Sequence, residues 1–328
     1  MEHRLKKKRY IVILGILISV FFIIFIITII QEVVEEKVSI DKVRVSVILP
    51  HSDDGYWSNI EKGITDTAET YKDEMDVQIY IPQLNYNTGQ MTELIKQQVA
   101  AQVDTIIVQG IDDSDYRKAL IKAWRKGIQI IFVDTDLEGF PSHLYVGTDN
   151  YAAGVLLGEK LIEISGGAAK IAILSGASNY SNLQERCLGL YESTKAYSDI
   201  NFVRLDYDNY DGLTVVNKYK KIHTENPEID TLICIEGTGG QTLGTVFDEK
   251  QPEYAHILAF DDSELARQGI KNGVLDGVIA QATWEMGRKT IEETVRYEKT
   301  GTYSSNCIHT ELRWVTLKEI EEETANEE

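Results

Sequence analysis

A regular alternation of short apolar segments and longer amphipathic segments, running from residue 43 to residue 315, constrains the fold of this chain most strongly. Short apolar segments such as Ile128–Val133 are typical of strands that are covered on both faces. The segment Thr88–Val103 places apolar residues three and four positions apart, which is typical of an amphipathic helix. Strands that alternate with helices in this way predict an α/β fold with parallel sheets.

The alternation forms two successive sets without a Pro-rich or Gly/Ser-rich linker between them. We therefore predict two tandem doubly wound parallel-sheet lobes that are joined by a hinge. The first lobe is predicted to comprise residues 43–149 and 282–311, and the second lobe residues 150–281 and 312–328. A last extended segment, Glu311–Val315, is predicted to precede a frayed acidic tail.

An uncharged segment, Tyr10–Ile30, precedes the two lobes and contains 21 residues that are almost all apolar. About 20 apolar residues are needed to cross the hydrocarbon core of a bilayer. The segment is longer than the apolar part of a cleavable signal peptide, and no small-residue cleavage site follows it. We therefore predict a transmembrane anchor at residues 10–30, with a basic tail at 1–9 and a linker at 31–42.

Basic residues determine the predicted orientation of this anchor. Five Lys and Arg side chains lie within residues 1–9, and such clusters are retained on the cytoplasmic side of a membrane. The N-terminus is therefore predicted to be cytoplasmic, and the two lobes are predicted to lie outside the cell.

The net charge of the chain is −19, which disfavours binding to the phosphate backbone of nucleic acids.

Sequence motifs of enzymes and cofactor sites are not evident. The three cysteines, Cys187, Cys234 and Cys307, are too few and too widely spaced for a disulfide framework or a zinc site. The glycine-rich segment 237–244 has threonine at position 242, where a dinucleotide-binding fingerprint needs its last glycine. No nucleophile is accompanied by a recognisable base and orienting residue. We expect a protein that is not an enzyme and that uses no cofactor or metal.

Polar and aromatic residues are concentrated directly after the predicted strands. Ligands of open α/β sheets bind beyond the carboxyl ends of the strands, so these residues are candidates for ligand contact. They are Asp54, Tyr56 and Trp57 after the first strand, Asp134 after the fourth, Asp149 at the passage between the lobes, and Arg186, Glu236, Thr238, Asp261 and Gln281 in the second lobe.

Several candidates also have a simpler structural interpretation. Asp134 and Asp261 could cap the helices that follow them, because aspartate is a common N-cap residue. Arg186 could be a surface charge on an amphipathic helix. Tyr56 and Trp57 could pack within the core beneath the first helix.

In this order, the strand-end residues resemble the ligand-binding positions of the type I periplasmic binding protein family, particularly its ribose-type sugar receptors. The resemblance covers roughly residues 43–315. It implies that Tyr56 and Trp57 stack on a sugar ring and that Asp54 supplies a polar contact beside them. It also implies two lobes that close over the ligand.

The same resemblance assigns four further residues to ligand contact. Asp134 corresponds to the carboxylate after the fourth strand, and Asp261 to the carboxylate at the end of a later strand. Arg186 corresponds to the arginine of an Arg-x-x-Gly step that Gly189 completes, and Gln281 to the glutamine beside the hinge. Carboxylates accept hydrogen bonds from hydroxyl groups, a guanidinium donates to them, and flat aromatic rings cover the apolar face of a sugar.

Several positions depart from the ribose-type pattern. Thr135 stands where an arginine often follows the fourth-strand carboxylate, and Asp54 stands where asparagine is common. Glu236 and Thr238 lie in a loop that often contains asparagine. The predicted site is therefore richer in carboxylates and poorer in guanidinium groups. A monosaccharide, an amino sugar and another amine-bearing solute all remain open as the ligand.

The resemblance leaves two cellular roles open for a membrane-anchored receptor. The first is capture of a sugar and its delivery to the permease of an ABC importer. The second is a sensory role, in which the ligand-bound form is presented to a membrane histidine kinase. The effector half of a LacI-type repressor shares the fold, but the predicted membrane span occupies the place of the DNA-binding helices. A membrane-anchored hydrolase is a further alternative that no motif supports.

Overall fold

The computed structural model describes residues 15, 18–28, 42–51, 55–249 and 253–327. The chain divides into two compact units, Met1–Lys42 and Val43–Glu328. In the first unit, residues 18–28 are helical. The predicted anchor at 10–30 falls partly outside the described residues, and the basic tail at 1–9 falls wholly outside them. None of the helices in the described part of the chain combines the length and the apolar character needed to cross a membrane.

The second unit alternates strands and helices throughout its described residues. Its strands are β1 (Val43–Ile48), β2 (Met75–Tyr80), β3 (Thr105–Val108), β4 (Gln129–Asp134), β5 (Leu144–Thr148), β6 (Ala168–Ser175), β7 (Asp199–Tyr207), β8 (Thr231–Cys234), β9 (His256–Phe260), β10 (Gly277–Gln281), β11 (Cys307–Thr310) and β12 (Leu312–Val315). Its helices are α1 (Gly55–Thr70), α2 (Thr88–Ala101), α3 (Ser114–Arg125), α4 (Asn150–Ser165), α5 (Ser181–Thr194), α6 (Gly212–Glu225), α7 (Gly237–Val246), α8 (Glu264–Lys271), α9 (Thr283–Thr300) and α10 (Leu317–Glu327).

The strands form two six-stranded sheets with matching order. The first sheet runs β11-β5-β4-β3-β1-β2 and the second runs β12-β10-β9-β8-β6-β7. Among the described residues, neighbouring strands pair in parallel except for β10 and β12, which are antiparallel. The prediction of two doubly wound parallel-sheet lobes is therefore confirmed. In each sheet the strand order reverses beside the first strand of the set, at β1/β3 and β6/β8, and ligands of such sheets bind in the crevice at this point.

The chain passes between the two sheets three times, after β5, after β10 and between β11 and β12. Helix α9 follows the second passage and packs against α1 of the first lobe at very short range. A Cβ at Gly63 would lie 2.0 Å from the Trp284 carbonyl oxygen, so only glycine allows the two helices to approach this closely. The three strand connections together form the hinge region beside Gln281, the last residue of β10.

Helices α4 and α5 are fixed to each other by a pair of glycines in the second lobe. A Cβ at Gly154 of α4 would lie 2.1 Å from the Arg186 carbonyl oxygen. A Cβ at Gly189 of α5 would lie 2.1 Å from the Tyr151 carbonyl oxygen. Because this contact involves the backbone of Arg186 itself, the packing of α4 on α5 sets the position of the Arg186 side chain.

One prediction about the C-terminal region was confirmed and one was wrong. The extended segment Glu311–Val315 is confirmed as β12 (Leu312–Val315), which pairs with β10, while the strand just before it, β11, pairs with β5 on the other sheet and was not predicted. The tail predicted to be frayed forms α10 from Leu317. Ile320 is 2% exposed, so burial of an apolar side chain stabilises a helix whose charged composition alone favours fraying.

Candidate ligand-binding cleft

A cleft of about 790 Å³, including space open to solvent, lies at the carboxyl ends of the strands of both sheets. Eight of the ten predicted ligand contacts line it: Tyr56, Trp57, Asp134, Arg186, Glu236, Thr238, Asp261 and Gln281. The other described lining residues are His51, Tyr86, Gln109, Asn182, Leu183, Tyr210, Gly237 and Gln241. Residues far apart in the sequence therefore meet in one cavity.

Two predicted contacts do not join this cluster. Asp149 is not among the lining residues, and its side chain caps α4 by accepting a hydrogen bond from the Ala152 amide at 2.9 Å. Its second carboxylate oxygen lies 3.6 Å from Nδ1 of His309, away from the cleft lining. Helix capping is the common role of aspartate at such a position. Asp54 lies outside the described residues.

Asp134 ends β4 and is held by three donors. Its carboxylate accepts hydrogen bonds from the Tyr56 hydroxyl at 2.5 Å, from Gln109 Nε2 at 2.7 Å and from the Thr135 hydroxyl at 2.6 Å. Burial, followed by the Asp134 carboxylate, raises the pKa of Tyr56 well above its ordinary value, so Tyr56 remains a donor. Asp134 caps no helix, because β5 is the next element of the chain.

Asp261 is the first residue after β9, and its place at the end of that strand matches the place of Asp134 at the end of β4. Its Oδ1 atom accepts a hydrogen bond from Gln281 Nε2 at 2.6 Å. Burial raises the pKa of Asp261 to about 7, and the carboxylates of Glu236 and Asp134 add to this effect against the opposing charge of Arg186. Ser263, and not Asp261, caps the following helix α8. The capping interpretation therefore fails for both aspartates.

Arg186 is 2% exposed, which excludes the interpretation as a surface charge. Its guanidinium donates to Asn150 Oδ1 at 2.9 Å, to the Ile235 carbonyl at 3.1 Å and to Gln281 Oε1 at 3.0 Å. The guanidinium carbon also lies 4.3 Å from the centre of the Phe260 ring. These contacts hold the planar group in one orientation while its remaining N–H groups can reach a ligand.

Gln281 connects the two lobes at the hinge. Its Oε1 atom accepts from the Thr148 hydroxyl at 2.6 Å and from the Tyr56 hydroxyl at 3.3 Å, both on the first lobe. The same oxygen accepts from Arg186 on the second lobe, while the amide nitrogen donates to Asp261. A single side chain therefore links groups of both lobes on the hinge side of the cleft.

Glu236 is the N-cap residue of α7, and Thr238 lies in its first turn. The Glu236 carboxylate caps this helix by accepting from the amides of Thr238 at 2.8 Å and Gly239 at 3.0 Å. Asp208 is 0% exposed, and its Oδ2 atom has no hydrogen-bonding partner among the described residues. Burial and then the neighbouring Glu236 carboxylate raise the pKa of Asp208 to about 9.

Two tyrosines stack on each other across the cleft, and the sequence analysis did not predict either of them. The rings of Tyr86 and Tyr210 lie 4.6 Å apart at an interplanar angle of 14°. Tyr86 belongs to the first lobe and Tyr210 to the second, and both have left-handed backbone conformations, with φ of 56° and 58°. The only signal in the sequence is their position among Asn and Asp residues directly before a helix.

Trp57 lines the cleft but is also buried in the hydrophobic core of the first lobe. Its side chain is 2% exposed and its indole N–H donates to the Tyr86 hydroxyl at 3.1 Å. Tyr56 meets Trp57 edge to face, with centroids 5.5 Å apart. Trp57 is therefore largely a core residue that positions two aromatic residues of the cleft.

The lobes also meet outside the cleft. The Asp112 amide donates to the Asn179 carbonyl at 3.3 Å, and the Ser181 hydroxyl donates to the Asp136 carbonyl at 3.0 Å. Together with the tyrosine stack, these contacts join the lobes on the side opposite the hinge. The two lobes therefore touch each other at several points, while part of the cleft stays open to solvent.

Comparisons with known proteins agree with this architecture. Residues 45–301 match the family described as periplasmic binding protein domain. The D-allose-binding periplasmic protein of Escherichia coli (strain K12) is 21% identical over 265 residues, which are 78% of this chain and 85% of that protein. The ribose import binding protein of Bacillus subtilis (strain 168) is 20% identical over 247 residues, covering 72% of this chain and 75% of that protein.

Solved structures show the same fold. GanP, a glucose-galactose binding protein from Geobacillus stearothermophilus, superposes with a TM-score of 0.79 at 22% identity, over 85% of this chain and 99% of GanP. XylFII in the XylFII-LytSN complex superposes with a TM-score of 0.76 at 24% identity, over 85% of this chain and 99% of that chain. At these identities the similarity establishes the fold alone.

Proposed function

Since this chain belongs to the periplasmic binding protein domain family, we propose that it is a receptor whose two lobes close around a monosaccharide-sized polyhydroxylated ligand without chemical turnover. The observation that carries this proposal is the convergence of Asp134, Arg186 and Asp261 on one cleft between the lobes. These groups accept from and donate to hydroxyl groups with charge-assisted hydrogen bonds, each of which contributes about 1.5–3 kcal/mol.

Aromatic residues complete this complementarity. The rings of Tyr56, Tyr86 and Tyr210 line the same cleft as the charged groups. A sugar has an apolar C–H face that an aromatic ring can cover, and it has hydroxyl groups around its edge. The allose-binding and ribose-import relatives support a sugar as the ligand class.

The cellular location that we propose follows from the N-terminal sequence. The uncharged segment at residues 10–30 is long enough to anchor the receptor, and the basic residues before it favour a cytoplasmic N-terminus. The receptor domain would then lie outside the cell, where it meets solutes before they cross the membrane. Its proposed role is delivery of the bound sugar to the permease of an ABC importer.

A sensory role is the second candidate, and it is favoured by one observation and by the proposed anchor. A structural relative, XylFII, has been solved in a complex with LytSN, and an anchored receptor would stay next to a membrane partner such as a histidine kinase. Uptake of the radiolabelled ligand by cells lacking this protein separates the two roles. Lost uptake supports delivery to an importer, whereas unchanged uptake with a lost transcriptional response supports sensing.

The receptor function is tested by thermal-shift screening of the full chain in detergent against pentoses, hexoses, amino sugars and polyols. A ligand that binds only the folded state raises the melting temperature by mass action, by the equivalent of about 2.7 kcal/mol at a concentration of 100 Kd. We expect at least one monosaccharide to do so, and the double variant Asp134→Asn/Asp261→Asn to abolish the shift. Asp73→Asn, which changes an exposed aspartate outside the cleft lining, serves as the control and should leave the shift unchanged. A complete absence of shifts would contradict the proposed ligand class.

A further inference from the structure

The charges that line the cleft are strongly unbalanced. Asp134, Glu236 and Asp261 contribute three carboxylates to the lining, and Arg186 contributes the only guanidinium among the described lining residues. Arg186 already donates hydrogen bonds to Asn150, Ile235 and Gln281. A neutral sugar would leave this excess of negative charge in place when the lobes close over it.

The excess is greatest where Asp208 and Glu236 meet. Asp208 is wholly buried, and its Oδ2 atom finds no donor among the described residues. The groups that act on Asp208 are the Glu236 and Asp211 carboxylates and the Tyr210 amide. Arg186, by contrast, compensates Asp261. We name the acidic wall of the second lobe the two lining carboxylates of Glu236 and Asp261, together with the Asp208 carboxyl, which is buried beside Glu236 and does not itself line the cleft.

A second, independent feature of the cleft also calls for a donor. Gln109, on the first lobe, is 4% exposed and lines the cleft. Its Nε2 atom donates to Asp134 and Thr135, but its Oε1 atom is buried without a partner in the part of the chain that the structure describes. A buried acceptor without a donor is costly, and because Gln109 lines the cleft, a ligand donor that reached its Oε1 atom would relieve this cost.

We propose that the ligand of this cleft carries a protonated amine in addition to its hydroxyl groups, and that the acidic wall binds the ammonium group. The inference rests on the proposed function and narrows its ligand class to an amino sugar or a similar aminopolyol. An ammonium group has three donors and no acceptor, so it matches a wall made of acceptors. Each carboxylate oxygen of Glu236 keeps a lone pair after capping α7, which leaves it able to accept from the ligand.

Protonation of the wall agrees with this assignment. Burial and the adjacent carboxylates raise the pKa of Asp208 to about 9 and that of Asp261 to about 7. A proton on one of these groups relieves the repulsion in the absence of a ligand, and an ammonium group relieves it when bound.

The test compares matched ligands by isothermal titration calorimetry of the full chain in detergent at pH 7. D-Glucosamine, D-galactosamine and D-mannosamine are each measured against the parent hexose and against the N-acetyl derivative, which keeps the nitrogen but removes its charge. We expect at least one amine to bind at least tenfold more tightly than both of its neutral counterparts. If the neutral sugars bind as tightly as the corresponding amino sugars, or more tightly, the inference is overturned. The proposed receptor function is not affected by that result.

Two variants locate the preference within the cleft. Glu236→Gln removes a charge from the lining, and Asp208→Asn removes the buried carboxyl while Asn can still accept from the Tyr210 amide. Each variant is expected to reduce the preference for the amine at least threefold, while Glu228→Gln, an exposed carboxylate of the same lobe, leaves it unchanged. A preference that survives both cleft variants overturns the assignment to the acidic wall. Failure of every amine and every neutral sugar to bind would overturn the proposed function as well.

Discussion

At the scale of single residues, each lobe contributes an aspartate from a matching position to the site. Asp134 and Asp261 follow equivalent strands of the two sheets, and both have positive φ angles, of 70° and 69°. Aspartate tolerates this left-handed conformation better than most residues, yet it still costs on the order of 1–3 kcal/mol. The two strained residues turn their carboxylates into one cleft, where binding can offset the cost.

The fixed guanidinium of Arg186 gives the first prediction. Arg186→Lys keeps the positive charge but cannot maintain the three hydrogen bonds of the planar group. We expect sugar affinity to fall at least tenfold, equivalent to about 1.4 kcal/mol, as measured by calorimetry. Arg125→Lys, on the exposed surface of α3, is the matched control. Full affinity in Arg186→Lys would show that the guanidinium does not contact the ligand.

The buried carboxyl of Asp208 gives a prediction about pH. Its pKa is raised on folding to about 9, so the folded state binds the proton more tightly than the unfolded state. The free energy of unfolding therefore falls as pH rises from about 4 toward 9. Asp208→Asn should remove this contribution and raise stability at pH 8 by roughly 1–3 kcal/mol, with a smaller gain at pH 5. Denaturant melts at both pH values measure the difference, and equal gains at both would contradict the assigned pKa.

The strand-end rule predicted most of the charged residues of the cleft but only part of its aromatic surface. Gln109 follows β3 directly and could have been found by the same rule. Tyr86 and Tyr210 could not, because each lies some residues beyond its strand in a loop with a left-handed turn. Their stacking depends on how the two lobes close, which no local pattern encodes.

At the scale of elements, two loops meet across the cleft. The stacked rings of Tyr86 and Tyr210 hold the loop before α2 against the loop before α6, so they restrict the exit of a bound ligand. An aromatic pair contributes about 0.5–1.5 kcal/mol beyond the area that it buries. The stack therefore stabilises closure without being necessary for it.

Removing this stack should speed ligand release. Tyr86→Ala is expected to raise the dissociation rate by roughly 2- to 10-fold, measured by stopped-flow fluorescence, with a smaller effect on the association rate. Tyr297→Ala breaks a comparable pair, with its centroid 4.7 Å from that of Tyr303, outside the cleft lining. That control should lower stability and leave the dissociation rate unchanged. Equal rates for Tyr86→Ala and the parent protein would contradict the proposed restriction.

The contact between α4 and α5 gives a prediction about packing. A Cβ at position 154 would lie 2.1 Å from the Arg186 carbonyl oxygen, so Gly154→Ala must separate the two helices. Overpacking of this kind costs roughly 1–3 kcal/mol, and the displaced Arg186 should weaken ligand binding. Gly89→Ala, where the new Cβ meets its nearest atom at 3.4 Å, is the control. Thermal melts and calorimetry of both variants check the two effects.

Element types were more predictable than element ends. The parallel strands are buried on both faces and therefore contain runs of apolar residues that the sequence displays. The sequence did not predict β11, because this strand is half-exposed and has no apolar period. The sequence also failed to predict α10, because the energy that stabilises it comes from burial of Ile320 on another part of the fold rather than from local propensity.

At the scale of the whole molecule, the two lobes follow a proposed membrane anchor in the sequence. We expect the full chain to stay in the membrane fraction after carbonate extraction, and a C-terminal tag to be digested by protease added to intact cells. Deletion of residues 1–30 should leave the protein in the cytoplasm, because the apolar segment is then missing. A tag that is digested only after cell lysis would contradict the proposed orientation.

The convergence of distant residues on one ligand is tested most directly by a crystal structure of the chain with the sugar that gives the largest thermal shift. We expect density for that sugar between the lobes, within hydrogen-bonding distance of Asp134, Arg186 and Asp261 and in contact with Tyr56 and Tyr210. A sugar that binds at another surface, with this cleft holding only water, would contradict the account.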